Sequence, residues 1–346
     1  MAKEMTCKVN SVFYHVSAVL VTYNPDLETL FTAIQAISKQ VSNILIVDNA
    51  SLNFSENWLE GFKDQMPAKL YFLHQKENLG IAAAQNIGIE KALTLGADFV
   101  WLLDQDSIPS SSMVAELLAV MTCAQSKQET FPVAAVGPAI VDRCSGKNYY
   151  FMTDRDGFPH KWTPSKVIQE LPMFQEVTVL VASGTLISIE AIKYIGGMRS
   201  NYFINHVDTE WCLRAKAMGY KLLGVPTSKL EHRFGDTTKQ VWIFGYKEVI
   251  YHSPLRNYYD IRNTLLMLRD TPMTWIWKAH FIGRFMRLAY FLVFAEERWL
   301  RLRYMTLGML HGVMRISGRL ETKTNHCSML PVSSLEKYKC GKLIKS

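Results

Sequence analysis

The chain has 346 residues, 49% of them hydrophobic and 20% charged, and this composition excludes a disordered or fibrous protein. The formal net charge of +7 is unevenly distributed, because the residues from Leu255 to Ser346 contribute +10 and the rest contribute −3. Such a basic C-terminal quarter indicates a polyanionic partner, either nucleic acid or anionic lipid. The six cysteines are scattered without a CxxC pair, which argues against a disulfide framework or a zinc site and favours the reducing cytosol. The first apolar run, from Ala18 to Val21, has the length of a strand, so no secretory signal is predicted.

Four short apolar runs rich in β-branched residues alternate with helical patterns over the first 110 residues or so. The predicted strands are AVLVTY (18–23), ILIVD (44–48), LYFLH (70–74) and FVWLLD (99–104). One helix is predicted to start near Pro25 and Asp26, and a second, GIAAAQNIGIEKALTLG, to end at Gly96. The alternation predicts the α/β class, with a mostly parallel nucleotide-binding sheet covered by helices on both faces.

The middle of the chain is predicted to complete the same domain. Residues 133–140 and 177–189 have strand-like composition, and the aromatic-rich stretch between them is predicted to be a long loop. A short helix over 208–219 is expected to contain a Glu210/Arg214 pair at i,i+4, and the strand KLLGVP follows it. The predicted organisation is a catalytic domain over 1–254, with a nucleotide-binding half at about 17–125 and an acceptor half at about 126–254. A helical, membrane-associating region (255–320) and a flexible tail (321–346) complete the chain.

The stretch from Trp275 to Arg303 is aromatic, aliphatic and basic. Its longest uncharged run, Leu288 to Ala295, is too short to cross a bilayer. As one continuous helix it would place four arginines on one side and apolar residues on the other, which is typical of an amphipathic helix lying on a membrane surface. The alternative, that the apolar face packs on the catalytic body, stays open. The arginines are Arg284, Arg287, Arg298 and Arg301.

Acidic residues follow the predicted strands at the edge where parallel sheets bind ligands. Asp104 and Asp106 in WLLDQDS are spaced to share Mg²⁺ or Mn²⁺ with a diphosphate, although a capped polar turn has the same pattern. Asp48 can accept a hydrogen bond from a pyrimidine or a ribose, or form an Asx turn. VTYN (21–24) can hydrogen-bond a nucleotide, with helix capping by Thr22 or Asn24 as the alternative. NLG (78–80) brings backbone close to a ligand over the sheet.

Five segments in this order and spacing, SAVLVTYNPD, ILIVDNAS, NLGIAAAQNIGI, WLLDQDS and FINHVDTEWCLRAKAMGY, resemble inverting glycosyltransferase family 2 with the GT-A fold. The similarity covers residues 17–265 and is greatest to bacterial rhamnosyltransferases. It implies that Asp208 is the general base, although an Asp at a helix start also caps N–H groups, for instance as the N3 partner of Asn205. The candidate nucleotide-sugar ligands are Thr22, Tyr23, Asn24, Asp48, Gly80, Asn86, Asp104 and Gln105. The candidate metal ligands are Asp104, Asp106 and His232, and the candidate acceptor residues are Ser183, Gly184, Glu210, Arg256 and Arg262.

The resemblance implies a metal-dependent transferase that moves L-rhamnose from dTDP-rhamnose onto a lipid-linked oligosaccharide in bacterial surface polysaccharide synthesis of the O-antigen type. Its expected place is the inner face of the cell membrane, held peripherally. Three alternatives stay open: a family 2 transferase using a UDP- or GDP-linked sugar, a sugar nucleotidyltransferase, and a non-catalytic lipid- or nucleic-acid-binding protein. The nucleotidyltransferase is disfavoured because no Gly-rich basic loop follows the first strand. Nucleic acid is disfavoured because the tail contains no recognised module for it.

Overall fold

A computed structural model describes residues 13–126, 132–142, 146, 148–165, 167, 170–232, 237–242, 246–251, 253–294 and 297–321. Within these ranges, residues 126, 232–251 and 286–294 are described by their backbone alone.

The described residues form strands and helices whose bounds are as follows. The strands are β1 Val16–Thr22, β2 Asn43–Asp48, β3 Lys69–His74, β4 Phe99–Asp104, β5 Ile108–Pro109, β6 Val133–Asp142, β7 Phe151–Arg155, β8 Phe158–Trp162, β9 Gln175–Val177, β10 Leu186–Ser188, β11 Lys221–His232, β12 Thr237–Trp242 and β13 Tyr246–Tyr251. The helices are α1 Leu27–Ser38, α2 Glu56–Glu60, α3 Ile81–Thr94, α4 Met113–Ser126, α5 Ile189–Ile195, α6 Val207–Ala217, α7 Pro254–Asp270, α8 Trp275–Phe294 and α9 Arg298–Val313.

The central sheet has the strand order β3-β2-β1-β4-β10-β6-β11-β5, and β9 pairs with β11. Strands β3, β2, β1 and β4 are mutually parallel, whereas β10 runs antiparallel to both β4 and β6. The carboxyl ends of the parallel strands therefore meet at one edge. In this register Thr22 pairs with Asp48, Asp48 with His74, and Val21 with Asp104. The predicted α/β class is confirmed.

Helices cover both faces of the sheet, so the parallel strands are buried on both sides. In β1, Val19 and Val21 belong to the apolar cluster under α3, whereas Ala18 and Leu20 belong to the cluster under α1 and α4. Gly88 lets α3 lie close to the sheet, because a Cβ at this position would overlap the Val19 side chain. This two-sided burial explains why the strands have continuous apolar sequences rather than alternating ones.

Two predictions for the middle of the chain are wrong. The predicted long loop contains the antiparallel hairpin β7–β8, which is formed by pairing that composition alone does not reveal. The predicted strand over 177–189 divides into the short strands β9 and β10, joined by irregular backbone. The irregular path follows local contacts: the Leu180 amide contacts Cys212 Sγ at 3.4 Å, and Gly184 adopts a positive φ of 84°.

The single helix predicted from Trp275 to Arg303 is also wrong. The chain forms α8 and α9, separated by Glu297 in the left-handed conformation (φ 56°), so the four predicted arginines do not share one helix face. Trp277 and Phe281 of α8 are buried in the apolar cluster on the α3 side of the sheet, so the alternative interpretation, packing on the body of the protein, holds for these two residues. Arg301 of α9 is buried and donates to Asn257 Oδ1 of α7 at 2.6 Å. Among the described residues, no helix combines the length and apolar character needed to span a membrane.

Candidate active site

A cluster of polar side chains lies where β1, β2 and β3 end. Thr22 Oγ1 donates to Asp48 Oδ1 at 2.9 Å, and His74 Nδ1 lies 3.0 Å from Asp48 Oδ2. The Asp48 carboxylate is fully buried, whereas the His74 side chain is half exposed at the rim. A buried carboxylate is stable only when hydrogen bonds or charges satisfy it, and here neighbouring strand ends supply them.

The turn after β2 ties the first two strand ends together. The Ser51 amide donates to Asp48 Oδ2 at 3.0 Å, which is the Asx-type turn that the sequence left open. The Asn24 amide donates to Ser51 Oγ at 2.7 Å, and Asn24 Oδ1 accepts the Leu52 amide at 2.9 Å. Helix capping by Thr22 or Asn24 is not observed, because Asp26 caps α1 by accepting the Thr29 amide at 2.8 Å.

The acidic turn after β4 is fixed by short polar side chains. The Asp104 amide lies 3.3 Å from Ser107 Oγ and 3.4 Å from Ser183 Oγ, and these two hydroxyls also hydrogen-bond each other. Gln105 Oε1 accepts the Tyr23 amide at 2.8 Å, which joins this turn to the end of β1. Asp104 and Asp106 both remain partly exposed. Tyr23, Gln105 and Asp104 therefore lie at one opening.

The acidic turn supplies hard oxygen donors for a divalent cation. Among the described residues no group of three or more His, Cys, Asp or Glu side chains is arranged to hold a metal. Two carboxylates still match Mg²⁺ or Mn²⁺ bound together with phosphate oxygens and water, because such ions take few protein ligands. Antiparallel pairing of Glu231 with Ile108 brings the end of β11, and hence the His232 backbone, beside this turn. The His232 side chain lies outside the described part of the chain.

The start of α3 forms the next wall of the opening. Gly80 has a φ of 84°, and a Cβ there would overlap Phe203, so glycine allows the backbone to approach the loop before α6. The Ile81 amide donates to the Phe203 carbonyl at 2.8 Å. Asn86 lies further along α3, where its side chain bridges the amide and carbonyl of Met198 at 2.7 Å each. The structure therefore gives Asn86 a contact that supports the fold.

Asp208 lies in the first turn of α6. Its Oδ1 accepts the Thr209 amide at 2.7 Å, and the side chain is partly exposed. The expected partnership with Asn205 as N-cap is wrong, because α6 begins only at Val207 and the Asn205 amide group donates to the Arg256 carbonyl at 3.1 Å instead.

Helix α6 lies beside residues 180–183, which also contact the acidic turn. Cys212, one turn beyond Asp208, contacts the Leu180 amide through Sγ at 3.4 Å, and Ser183 contacts the Asp104 amide. Because Leu180 and Ser183 are only three residues apart, residues 180–183 connect α6 to the acidic turn, and we call the space between these two elements the crevice. Burial, together with the charges of Asp208 and Glu210, raises the pKa of the Cys212 thiol, which therefore stays protonated and unreactive.

Several predicted acceptor residues have structural contacts. Glu210 is fully buried between Arg199, with Nε at 2.6 Å, and Arg214, with Nη2 at 3.0 Å, so the predicted i,i+4 pair is present. Arg262 is fully buried and donates to the Tyr202 carbonyl at 2.9 Å, which leaves no surface for a phosphate.

The remaining acceptor candidates are also engaged within the protein. Arg256 Nη2 donates to Asn205 Oδ1 at 3.2 Å. Ser183 hydrogen-bonds Ser107, and Gly184 lies against Pro138 with no room for a Cβ. These contacts hold the walls of the crevice, and none of them identifies an acceptor subsite.

Sequence reasoning missed three residues of the site: His74, Ser51 and Ser107. His74 ends β3 just as Asp48 ends β2. Because the two strands were expected to be parallel, the last residue of LYFLH could have been predicted to lie beside Asp48. Ser51 and Ser107 are each three residues after a strand-end aspartate, the spacing at which a turn hydroxyl or amide reaches back to the strand end.

Comparisons with known proteins specify the family to which this fold belongs. The model of glycosyl transferase family 2 matches residues 17–196, more than half of the chain. The dTDP-rhamnosyl transferase RfbF of Shigella flexneri is 35% identical over 266 residues, which are 75% of this chain and 81% of that protein. The galactofuranosyltransferase GlfT1 of Mycolicibacterium smegmatis is 31% identical over 128 residues, 36% of this chain and 39% of that protein. The chain belongs to glycosyl transferase family 2 and is a glycosyltransferase.

Solved structures agree on the fold. Residues 1–349 of S. aureus TarS superpose with a TM-score of 0.53 at 13% identity, covering 87% of this chain and 82% of that one. The mannosyltransferase PcManGT of Pyrobaculum calidifontis, solved with GDP-Man and Mn²⁺, gives a TM-score of 0.52 at 13% identity and covers 88% of each chain. At such low identity the similarity establishes the GT-A architecture alone.

Proposed function

We propose that this glycosyltransferase transfers L-rhamnose from dTDP-rhamnose to a lipid-linked oligosaccharide at the inner face of a bacterial cell membrane. The 35% identity to a dTDP-rhamnosyl transferase, extending over 75% of the chain, carries the choice of donor. The proposed pathway is the synthesis of a surface polysaccharide of the O-antigen type.

The donor nucleotide is proposed to bind where β1, β2 and β3 end. Asp48 is the hydrogen-bond acceptor for the thymine imide or the ribose, and Thr22, Ser51 and His74 orient its carboxylate. A base bound there must replace some of these hydrogen bonds to Asp48. Of the three partners of Asp48, the half-exposed His74 is the one at the rim of the site. Tyr23 and Gln105 lie over the same opening and border the nucleotide.

The diphosphate is proposed to lie at the acidic turn, where Asp104 and Asp106, with His232, hold the divalent cation. When bound, the cation stabilises the negative charge that develops on the leaving diphosphate. The two serine hydroxyls at the Asp104 amide fix the turn before the donor arrives. Their preorganisation means that the carboxylates need little reorientation on binding.

Asp208 is proposed to accept the proton of the acceptor hydroxyl. The hydroxyl oxygen forms the new bond to the anomeric carbon while the bond to the diphosphate breaks on the opposite side. One base and one leaving group are sufficient for such an in-line displacement, and the anomeric configuration inverts. The Thr209 amide, bonded to Oδ1 at 2.7 Å, fixes one carboxylate oxygen and leaves the other available to the acceptor.

A donor panel tests this proposal. The purified protein is incubated with a lipid-linked oligosaccharide acceptor and, in turn, with dTDP-rhamnose, UDP- and GDP-linked sugars and a galactofuranosyl donor, with Mg²⁺, with Mn²⁺ or with chelator, and release of the nucleoside diphosphate is measured. Turnover is expected with dTDP-rhamnose and a divalent cation, and it should be lost on replacing both Asp104 and Asp106 by Ala. Preferential turnover of another donor would refute the choice of rhamnose, and release of pyrophosphate from a nucleoside triphosphate would identify a nucleotidyltransferase instead.

A further inference from the structure

Helix α9 presents an apolar face that none of the residues described by the structure covers. Its buried side contacts α7 through Met305, Gly308 and Gly312, and a Cβ at Gly308 would overlap the Tyr258 backbone. At about 100° per residue, a different sector of roughly 100° carries large apolar side chains that are all exposed. We call this sector the α9 outer face; it consists of Trp299, Leu302, Met309, Leu310 and Val313.

The charged side chains within α9 are all arginines, whereas the exposed Glu297 directly precedes the helix. From residue 298 to residue 316 the sequence contains four arginines and no acidic residue. Arg298, Arg303 and Arg315 are exposed, whereas Arg301 is buried and hydrogen-bonded to α7. Exposed apolar residues are unremarkable when scattered, but here five share one helix face with cationic neighbours.

We infer that the α9 outer face docks onto an anionic lipid surface, an inference that rests on the proposed lipid-linked acceptor and names the part of the chain that meets the membrane. A helix with a tryptophan, long aliphatic side chains and arginines, and without acidic residues, suits the boundary between lipid head groups and acyl chains. The arginines then contact lipid phosphates while Trp299 and its neighbours are buried among the acyl chains.

The fold excludes the arrangement expected from sequence, in which one helix over 275–303 meets the lipid. Trp277 and Phe281 of α8 pack into the catalytic body and are not available. The α9 outer face is exposed throughout and extends beyond residue 303 to Leu310 and Val313, which the sequence pattern did not select.

Charge also favours lipid over a second copy of this chain. A two-fold interface would place the α9 outer face of one copy against that of the other. Arg303 and the neighbouring arginines of one copy would then approach the corresponding arginines of the other copy. Like charges brought together without counterions repel each other, whereas anionic head groups neutralise them.

Vesicle sedimentation tests the inference, with a matched pair of double variants. The test variant is Trp299→Ser with Leu310→Ser, whose side chains are 76% and 52% exposed. The control is Tyr194→Ser with Met218→Ser, on α5 and after α6, whose side chains are 75% and 51% exposed. Both variants remove one aromatic and one aliphatic side chain from the surface, so the melting temperature of each should match that of the parent protein.

The protein is expected to bind vesicles of phosphatidylcholine with about one third phosphatidylglycerol more strongly than phosphatidylcholine alone, and less strongly as salt rises above about 0.1 M. The test variant should lose affinity by about tenfold or more, and the control should not. Equal binding by the two double variants, or parent protein that ignores the anionic lipid, overturns the inference. A protein that stays off vesicles but dissociates from dimer to monomer in the test variant identifies a second copy as the occupant.

Lipid binding is measured without any sugar nucleotide, so it does not depend on the proposed reaction. Nucleotide release in detergent, with a solubilised acceptor, is measured in parallel for both variants. Vesicle binding with no turnover on any donor refutes the proposed function and keeps the docking face. Turnover that is equal in all three proteins, with no vesicle binding, refutes the docking face alone.

Discussion

Asp208 is the residue on which the proposed chemistry depends most. Its position in the first turn of α6 leaves the carboxylate partly exposed, and its contact with the Thr209 amide fixes the side chain. An asparagine at this position retains an oxygen for the Thr209 amide but cannot take a proton. The substitution therefore separates the role of Asp208 in catalysis from its role at the start of the helix.

We expect Asp208→Asn to lower kcat by about 10²- to 10⁴-fold, with little change in the KM for dTDP-rhamnose, because general-base catalysis is lost and donor contacts remain. The measurement is steady-state release of dTDP in the presence of acceptor. Asp64→Asn, at an exposed position in a 3₁₀ turn, is the control and should behave as the parent protein. A rate for Asp208→Asn within about tenfold of the parent would remove Asp208 from the role of base.

At the scale of single residues, the sequence predicted positions better than roles. Asp48 and Asp104 were found because each ends an apolar run, and parallel pairing brings such ends together. His74 was missed because its importance depends on register with Asp48 rather than on its own neighbours in sequence. Arg262 was predicted to contact the acceptor because its burial cannot be recognised from the local sequence. The burial is created by the packing of α7 against the loop before α6.

At the scale of elements, helix α7 holds the loop that precedes Asp208. This loop contains three non-glycine residues with positive φ, Phe203, Asn205 and His206, at 66°, 67° and 61°. Such conformations cost roughly 1 kcal/mol or more each, so the loop needs support from outside. Asn263 of α7 donates to the carbonyls of Tyr202, Ile204 and Asn205 at 2.9, 2.8 and 3.0 Å.

A second contact from α7 reaches the residue directly before α6. His206 Nε2 lies 2.9 Å from Asp260 Oδ1 and 3.0 Å from Thr264 Oγ1. Because His206 is the N-cap of α6, these contacts fix the direction in which α6 starts. Helix α7 thus fixes the start of the helix that carries Asp208.

Asn263→Ala is expected to lower the free energy of unfolding by about 1 to 3 kcal/mol, because buried carbonyls lose their donor. It should also lower kcat more than it raises the KM for the donor, because the loop orients Asp208 rather than the nucleotide. Thermal unfolding and steady-state kinetics check the two parts. Asn43→Ala, which removes a side chain at the opposite edge of the sheet, is the control for kcat. A variant with reduced stability but unaltered kcat would show that α7 supports only the fold.

The elements that sequence predicted correctly have local signals. Helix α1 has its Asp26 cap, and α3 ends at Thr94, followed by its C-cap Leu95 and by Gly96 at a positive φ of 69°. The break between α8 and α9 was missed because Glu297 carries no helix-breaking signal, and the left-handed turn there follows from packing of α9 on α7. Hairpin β7–β8 was missed because its strands are held by each other rather than by apolar runs.

At the scale of the whole molecule, the strand order determines where the reaction takes place. The class of fold followed from alternating strands and helices, but the insertion of antiparallel β10 between β4 and β6 depends on long-range pairing that sequence patterns do not contain. This insertion brings Ser183 to the Asp104 amide and Leu180 to α6, which places the acidic turn and α6 on either side of residues 180–183.

The uneven charge of the chain fits the same arrangement. The acidic side chains of residues 1–254 include those proposed to hold a cation and to accept a proton. The basic C-terminal quarter contains α9 with its exposed arginines. In the proposed reaction the crevice binds the donor, and α9 contacts the membrane that carries the acceptor.

The central claim is that this crevice carries out one in-line displacement on dTDP-rhamnose. Proton NMR of a reaction containing dTDP-rhamnose, a lipid-linked oligosaccharide acceptor and Mg²⁺ or Mn²⁺ follows the donor and the anomeric configuration of the product in one experiment. The account predicts that dTDP-rhamnose is consumed only with the cation and that the rhamnosyl linkage has the configuration opposite to that of the donor. Retained configuration, or a donor that persists while another nucleotide sugar is consumed, would contradict it.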